Sequence, residues 1–159
     1  MNSGHLILDN SVLSAFASGS WFHDLSFWSA EYDILTTERI WEGEFTPHHE
    51  YTKPDWLRSK SVDTDRLDSK SVELGEPDWT LIRLAETVTD PILVSNDRRV
   101  IAEAEKRDIE RMWGTKFLIQ TFELCGIDED SFNDGCSAYI GDVHLPDTVA
   151  DELRSAEKV

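Results

Sequence analysis

A parallel β-sheet flanked by helices is the architecture this sequence predicts, and three observations carry it. Strand-like and helix-like segments alternate along the chain, which is the pattern of an open α/β sheet rather than of a helix bundle. Pro91-Ile92-Leu93-Val94-Ser95 is a continuous apolar run of strand length, as a strand buried on both faces requires. The length of 159 residues suits one domain with one core, and a hydrophobic fraction of 40% with six tryptophans is enough to fill it. We therefore read residues 1–159 as one domain, with a core over about 5–127 and added C-terminal helices over about 128–159.

The elements follow in order. His5 to Leu8 reads as a strand, and Asp9-Asn10-Ser11 after it is a helix N-cap signal. Val12, Leu13, Ala15 and Phe16 repeat at helical spacing until Gly19. A second helix is expected over Trp21–Ala30, then a short strand over Tyr32–Leu35. Thr36-Thr37-Glu38 caps a helix bearing Ile40, Trp41 and Phe45, which Pro47 stops. Residues 46–60 carry no period and read as a loop, with an edge strand expected at Ser61-Val62-Asp63. Gly75-Glu76-Pro77-Asp78 opens a helix through Trp79, Leu81, Ile82, Leu84 and Ala85, with Pro77 in a first turn that tolerates its missing N–H. After the apolar strand, Asn96-Asp97 opens a helix to Lys106, Ile109–Met112 reads as the last strand, and Gly114-Thr115 starts a helix ending at Cys125-Gly126. Phe132–Ile140 and Asp147–Glu157 read as the closing helices.

Composition narrows the setting. No apolar run approaches the roughly 20 residues of a membrane helix, and Leu6-Ile7-Leu8 is too short for an export signal; the expectation is a cytoplasmic protein that does not engage a membrane. Cys125 and Cys136 lack the further ligands of a zinc site and read as reduced thiols. Thirty-two acidic against fifteen basic residues leave a net charge of −17, with the acids dispersed along the chain. Such a surface either repels nucleic acid or belongs to a protein working in molar salt, where the Debye length falls to about 3 Å. Six lysines among so many acids favour the second reading, a salt-adapted cytoplasm of the kind found in halophilic archaea.

Four acids are candidates for chemistry. Ligands of an open parallel sheet bind at the carboxyl ends of its strands, and Asp9 and Asp97 each end a strand. Asp78 and Glu42 lie early in helices on the expected same side. Hard oxygen ligands of this kind suit Mg²⁺ or Mn²⁺ rather than zinc, and such a site can support in-line attack of water on a phosphodiester. Each acid also has a plainer reading, as a helix cap for Asp9 and Asp97, a helix-dipole partner for Asp78 or a solvated face for Glu42; their combination at two strand ends is the argument.

These segments together resemble the PIN-domain nucleases. The resemblance rests on Leu6-Ile7-Leu8-Asp9-Asn10-Ser11, Thr36-Thr37-Glu38-Arg39-Ile40-Trp41-Glu42, Asp78 before Leu81–Ala85, Ile92-Leu93-Val94-Ser95-Asn96-Asp97, and Trp113-Gly114-Thr115 with Phe117-Leu118. It covers residues 5–127 and implies a PIN-like three-layer α/β/α sandwich with a central parallel sheet. It also implies a Mg²⁺- or Mn²⁺-dependent endoribonuclease acting on RNA, with an antitoxin partner where the member is a toxin of a toxin–antitoxin pair, and a homodimer. By position, Asp9 resembles the first acid, Asp78 the third and Asp97 the fourth, while Ser95 and Asn96 occupy positions that help hold the site. Glu42 or Glu44 matches the second acid, and Glu76 competes with Asp78 for the third.

Other features are weighed against this frame. Arg98-Arg99 after Asp97 either contacts a phosphate or forms salt bridges. His48-His49 sits in a solvated loop that follows the Glu42 helix and could line a groove. Among the tryptophans, Trp56 in the loop is the candidate for stacking a base. The alternative function is a catalytically inactive PIN-like binding or scaffold module; transfer through an aspartyl intermediate at Asp9 wants an acid at residue 11, where Ser11 stands.

Overall fold

The computed structural model of the chain describes residues 4–67, 70 and 74–125; Cys136 and the helices expected over 132–140 and 147–157 lie outside the described residues. Leu6, Ile7 and Leu8, all buried, form the heart of β1 (Gly4–Leu8), and the chain passes through Asp9 into α1 (Asn10–Ser18). A 3₁₀ segment (Phe22–Ala30) leads to β2 (Tyr32–Thr37), followed by α2 (Glu38–Ile40), a π-helical turn (Trp41–Phe45) and β3 (Leu57–Lys60). A 3₁₀ turn (Thr64–Arg66) precedes α3 (Glu76–Thr87), β4 (Pro91–Ser95), α4 (Arg98–Lys106), β5 (Glu110–Trp113) and α5 (Gly114–Cys125).

All five strands are parallel, in the order β3-β2-β1-β4-β5. The three-layer α/β/α arrangement expected from the sequence is what the chain adopts, with α3 and α4 packed together on the sheet and α1 and α5 packed together with the 3₁₀ segment. The order places the first strand in the centre. The chain winds outward from β1 through β2 to β3, then returns to β4 on the other side of β1. The crevice between the ends of β1 and β4 is thus a topological switch point, where open α/β sheets bind ligands. The buried apolar residues of both layers belong to one cluster that surrounds β1 and β4.

Two elements differ from the sequence expectation, each for a physical reason. The edge strand lies at Leu57–Lys60 rather than at 61–63, paired in register with Ile34–Thr37. Only Leu57 of β3 is buried, so its place comes from backbone pairing and leaves almost no apolar alternation to read. Lysine at its end suits an exposed edge. The segment expected as a helix over 21–30 winds as a 3₁₀ helix. Phe22, Leu25 and Trp28, all buried, recur every three residues, and positions i and i+3 eclipse in that winding.

Gly19 closes α1 as expected, but without the left-handed backbone usual for such glycines: its φ is −80°, and Ser20 takes the positive φ of 68° instead. Glycine is needed at 19 for space, since a Cβ there would lie 2.5 Å from the ring of the fully buried Trp21.

Candidate metal centre

Asp9 is delivered by the end of the central strand. It is 4% exposed, and a carboxylate that deep must be hydrogen-bonded. Ser95 Oγ donates to its Oδ2 at 2.6 Å, Ser11 Oγ donates to the same oxygen at 3.1 Å, and the Asn10 N–H donates to Oδ1 at 2.7 Å. The two serines tie β1 to β4: Ser95 Oγ also accepts the Asp97 N–H at 2.9 Å, and Ser11 Oγ accepts the Asn96 N–H at 2.9 Å. Asn96 in turn donates from Nδ2 to the Ser11 carbonyl at 3.2 Å. Gly114, opening α5, leaves room for this side chain, because a Cβ there would meet Asn96 atoms at 2.6–2.7 Å.

Glu44 arrives on the π turn. Thr37 ends β2 and caps α2 by accepting the Ile40 N–H at 3.1 Å, and Thr36 Oγ1 donates to the Leu8 carbonyl at 2.9 Å, which locks this turn to β1. The turn then widens, with the Thr46 N–H donating to the Trp41 carbonyl five residues back at 2.9 Å. Such turns recur at functional sites. Phe45 is fully buried and stacks on Trp41, and Glu44 lines the cavity at the rim.

Asp78 stands in the first turn of α3. One carboxylate oxygen from each of Asp9, Glu44 and Asp78 lies within 4.8 Å of the others. All three line a cavity of about 1050 Å³, together with Asp97, Asn96, Arg98, Arg99, His48, His49 and Trp113.

The acids named from the sequence are thus sorted by geometry. Asp9, Asp78, Asp97 and Glu44 face one cavity. Glu42 and Glu76 line a second hollow of about 440 Å³, beside Arg39, Lys60 and Thr80, and Glu76 accepts a hydrogen bond from Thr64 Oγ1. Both competing pairs, 42 with 44 and 76 with 78, are two residues apart on a helical turn. Positions i and i+2 do not share a face, so only one of each pair can reach the cavity.

Asp97 caps α4 and directs its carboxylate to Arg99, accepting the Arg99 N–H at 2.9 Å and a guanidinium N–H on Oδ2 at 3.2 Å. Ser95 is buried behind Asp9 and Asn96 lines the cavity wall, while Arg98 is exposed at its mouth.

Electrostatics mark the same three acids. Burial raises the Asp9 carboxyl above the ordinary carboxylate range; the Ser95, Ser11 and Asn10 hydrogen bonds pull it down and the Asp97 charge pushes it further up. Glu44 is raised by burial and then by Asp9, with Arg39 opposing. Asp78 is pushed up to about 7, first by burial and then by the charges of Asp9, Asp97 and Glu44. Mutual repulsion among carboxylates in a half-closed cavity is what a bound cation relieves. The donor set, all carboxylate oxygens, fits a hard divalent ion. Asn10 Oδ1, on an Asn that lines this cavity, is buried with no hydrogen-bond partner among the described residues.

Sequence reasoning missed several lining groups. Ser11 was legible only as part of a cap. Ser14, one turn further along α1, had no signal. Trp113, rather than Trp56, stands at the cavity; Trp56 packs inward with its ring 5.5 Å from Phe22.

No family model, curated protein or solved structure matches the chain. The class of protein is therefore defined by fold and site alone: a parallel three-layer α/β/α chain with a carboxylate cluster at its switch point. Among the described residues, no helix is long and apolar enough to cross a membrane.

Proposed function

We propose that this protein is a Mg²⁺- or Mn²⁺-dependent phosphodiesterase acting on RNA, an endoribonuclease of the PIN-domain type. The observation that carries the reading is the convergence of Asp9, Glu44 and Asp78, from three separate elements, within 4.8 Å at the switch point of the sheet. A divalent ion held there would supply charge neutralisation at the phosphate and acidify the attacking water.

The chain's own residues do the rest. Ser11 and Ser95 hold the Asp9 carboxylate in one orientation, so its geometry does not depend on the ion. Asp78 completes the carboxylate set from α3; burial and its acidic neighbours raise it to about 7 in the metal-free chain, and a bound cation would relieve that repulsion. Asp97 closes the acidic cluster on the β4 side and holds Arg99 beside it; Arg98 stands at the mouth, where a phosphate would arrive. We read the protein as cytoplasmic and salt-adapted. The resemblance also makes an antitoxin and a second copy of the chain its expected partners.

The test is cleavage of a mixed RNA pool in molar KCl with Mg²⁺ or Mn²⁺, with Mn²⁺ binding followed in parallel by titration calorimetry. Wild type should bind Mn²⁺ and cut. Asp78→Asn should lose at least tenfold in both affinity and rate. Folded wild-type protein that neither binds Mn²⁺ nor cuts RNA would overturn the reading in favour of a binding module.

A further inference from the structure

The cavity is lined by more than its acids. Arg98, Arg99 and Trp113 line it from the ends of β4 and β5, and Ser14 of α1 lines it with the His48-His49 pair that follows the π turn. The second group is built with more constraint than a surface loop needs. His49 Nε2 and Ser14 Oγ are hydrogen-bonded at 2.8 Å. The His49 ring stacks on Phe45 at 4.9 Å between centroids and 26° between planes, and Phe45 is itself fully buried between Trp41 at 4.7 Å and Phe22 at 5.3 Å. The backbone is held as well: the N–H groups of His48 and His49 both donate to the Phe45 carbonyl, at 3.1 and 3.0 Å. The same turn carries Glu44, so the imidazole and the acid cluster are positioned by one rigid piece of chain.

We propose that Ser14 and His49 form a phosphate-holding contact that binds the substrate strand beside the acids, next to the phosphate being cleaved. The inference rests on the phosphodiesterase reading and adds to it the residues that hold the strand in register. A strand carries a negative charge at every phosphate, and four carboxylates in the cavity repel it. A cation neutralises the phosphate above the acids, but a neighbouring phosphate needs donors of its own. One of the two residues donates in the Ser14–His49 hydrogen bond, so the pair keeps one free donor for that phosphate, and its immobility removes the ordering cost that a free side chain would bring. Arg98 lines the same cavity and supplies a further cation for the strand.

The test uses fluorescence anisotropy of a labelled, mixed-sequence single-stranded RNA, with Ca²⁺ in place of Mg²⁺ to hold the strand uncut. The variants are His49→Phe, which keeps a ring on Phe45 but has no N–H, and Ser14→Ala. Each should weaken binding about tenfold, the size expected for a lost hydrogen bond to a charged group. Mn²⁺ affinity should stay within twofold of wild type, and thermal melting should show both variants folded. A Kd within twofold of wild type in both variants, with Mn²⁺ still bound, would overturn the contact and leave the metal site standing. Wild type that binds no Mn²⁺ would bring down the phosphodiesterase reading and this contact with it.

Discussion

Asp78 illustrates how one residue can weaken a fold in order to serve a site. Its carboxyl is raised from the ordinary 3.8 of an aspartate to about 7, so the folded chain binds a proton more tightly than the unfolded chain does. Linkage then makes the metal-free protein lose stability as pH climbs from about 4 to about 7, by on the order of 2 kcal/mol after allowance for its partial exposure. Thermal melting of metal-free protein should give a higher midpoint at pH 5 than at pH 8. Asp78→Asn should reduce that difference, leaving the part due to Asp9 and Glu44, and Mg²⁺ or Mn²⁺ should restore the wild-type midpoint at pH 8, because an ion that binds only the folded state stabilises it by mass action. An identical pH slope in wild type and Asp78→Asn would show that the charge cluster is not strained in the way its geometry implies. The assignment of this residue was half legible in the sequence. Glu76 and Asp78 are both acids in a first helical turn, and only the direction each faces separates them: Glu76 toward Thr64, Asp78 toward Asp9.

At the scale of elements, two glycines act through the space they leave rather than through backbone freedom. Gly19→Ala would drive a methyl into Trp21, and Gly114→Ala would drive one into Asn96. Overpacking of this kind costs about 1–3 kcal/mol, and both variants should lower the denaturation midpoint accordingly. They should differ in one respect: Gly114→Ala presses on the Asn96–Ser11 contacts and should also weaken Mn²⁺ binding, whereas Gly19→Ala should not. Calorimetry on the two variants at a temperature where both are folded checks this. The helices and buried strands around these glycines were readable because burial of one or both faces imposes a period on the sequence. β3 was not, because an edge strand held by backbone pairing needs only one buried residue. The π turn was equally hidden: a helix pattern over Ile40, Trp41 and Phe45 is visible, but the extra residue in the turn that brings Glu44 rather than Glu42 to the rim is a matter of packing.

For the whole molecule, the governing quantity is the net charge of −17. Among the described residues most salt bridges have an exposed partner, apart from contacts such as Arg107–Glu103 at 2.7 Å and the neighbouring Glu86 pair, so they do little to offset the repulsion among acids. Raising KCl from about 0.1 M to about 1 M shortens the Debye length from about 10 Å to about 3 Å, and the melting midpoint should rise with it. Protein most stable in dilute buffer and losing structure in molar KCl would contradict the salt-adapted reading. The same screening bears on function, since RNA can approach this surface only when its long-range repulsion is suppressed, and RNA binding should therefore fall off less steeply with salt than for a basic protein.

The sequence alone determined the parallel α/β class, the strand-end location of Asp9 and Asp97, and the acidity of the candidate site, because strand burial, helix capping and charge are written locally or as composition. Tertiary structure alone decided which carboxylates meet. The choice of Glu44 over Glu42, the turning of Glu76 away from the cavity and the pairing of Ser14 with His49 depend on the angle at which each turn leaves the sheet. That angle is set by buried partners such as Phe45, Trp41 and Thr37, which lie far from the acids in the chain or on another face of the same turn, so no local pattern records it.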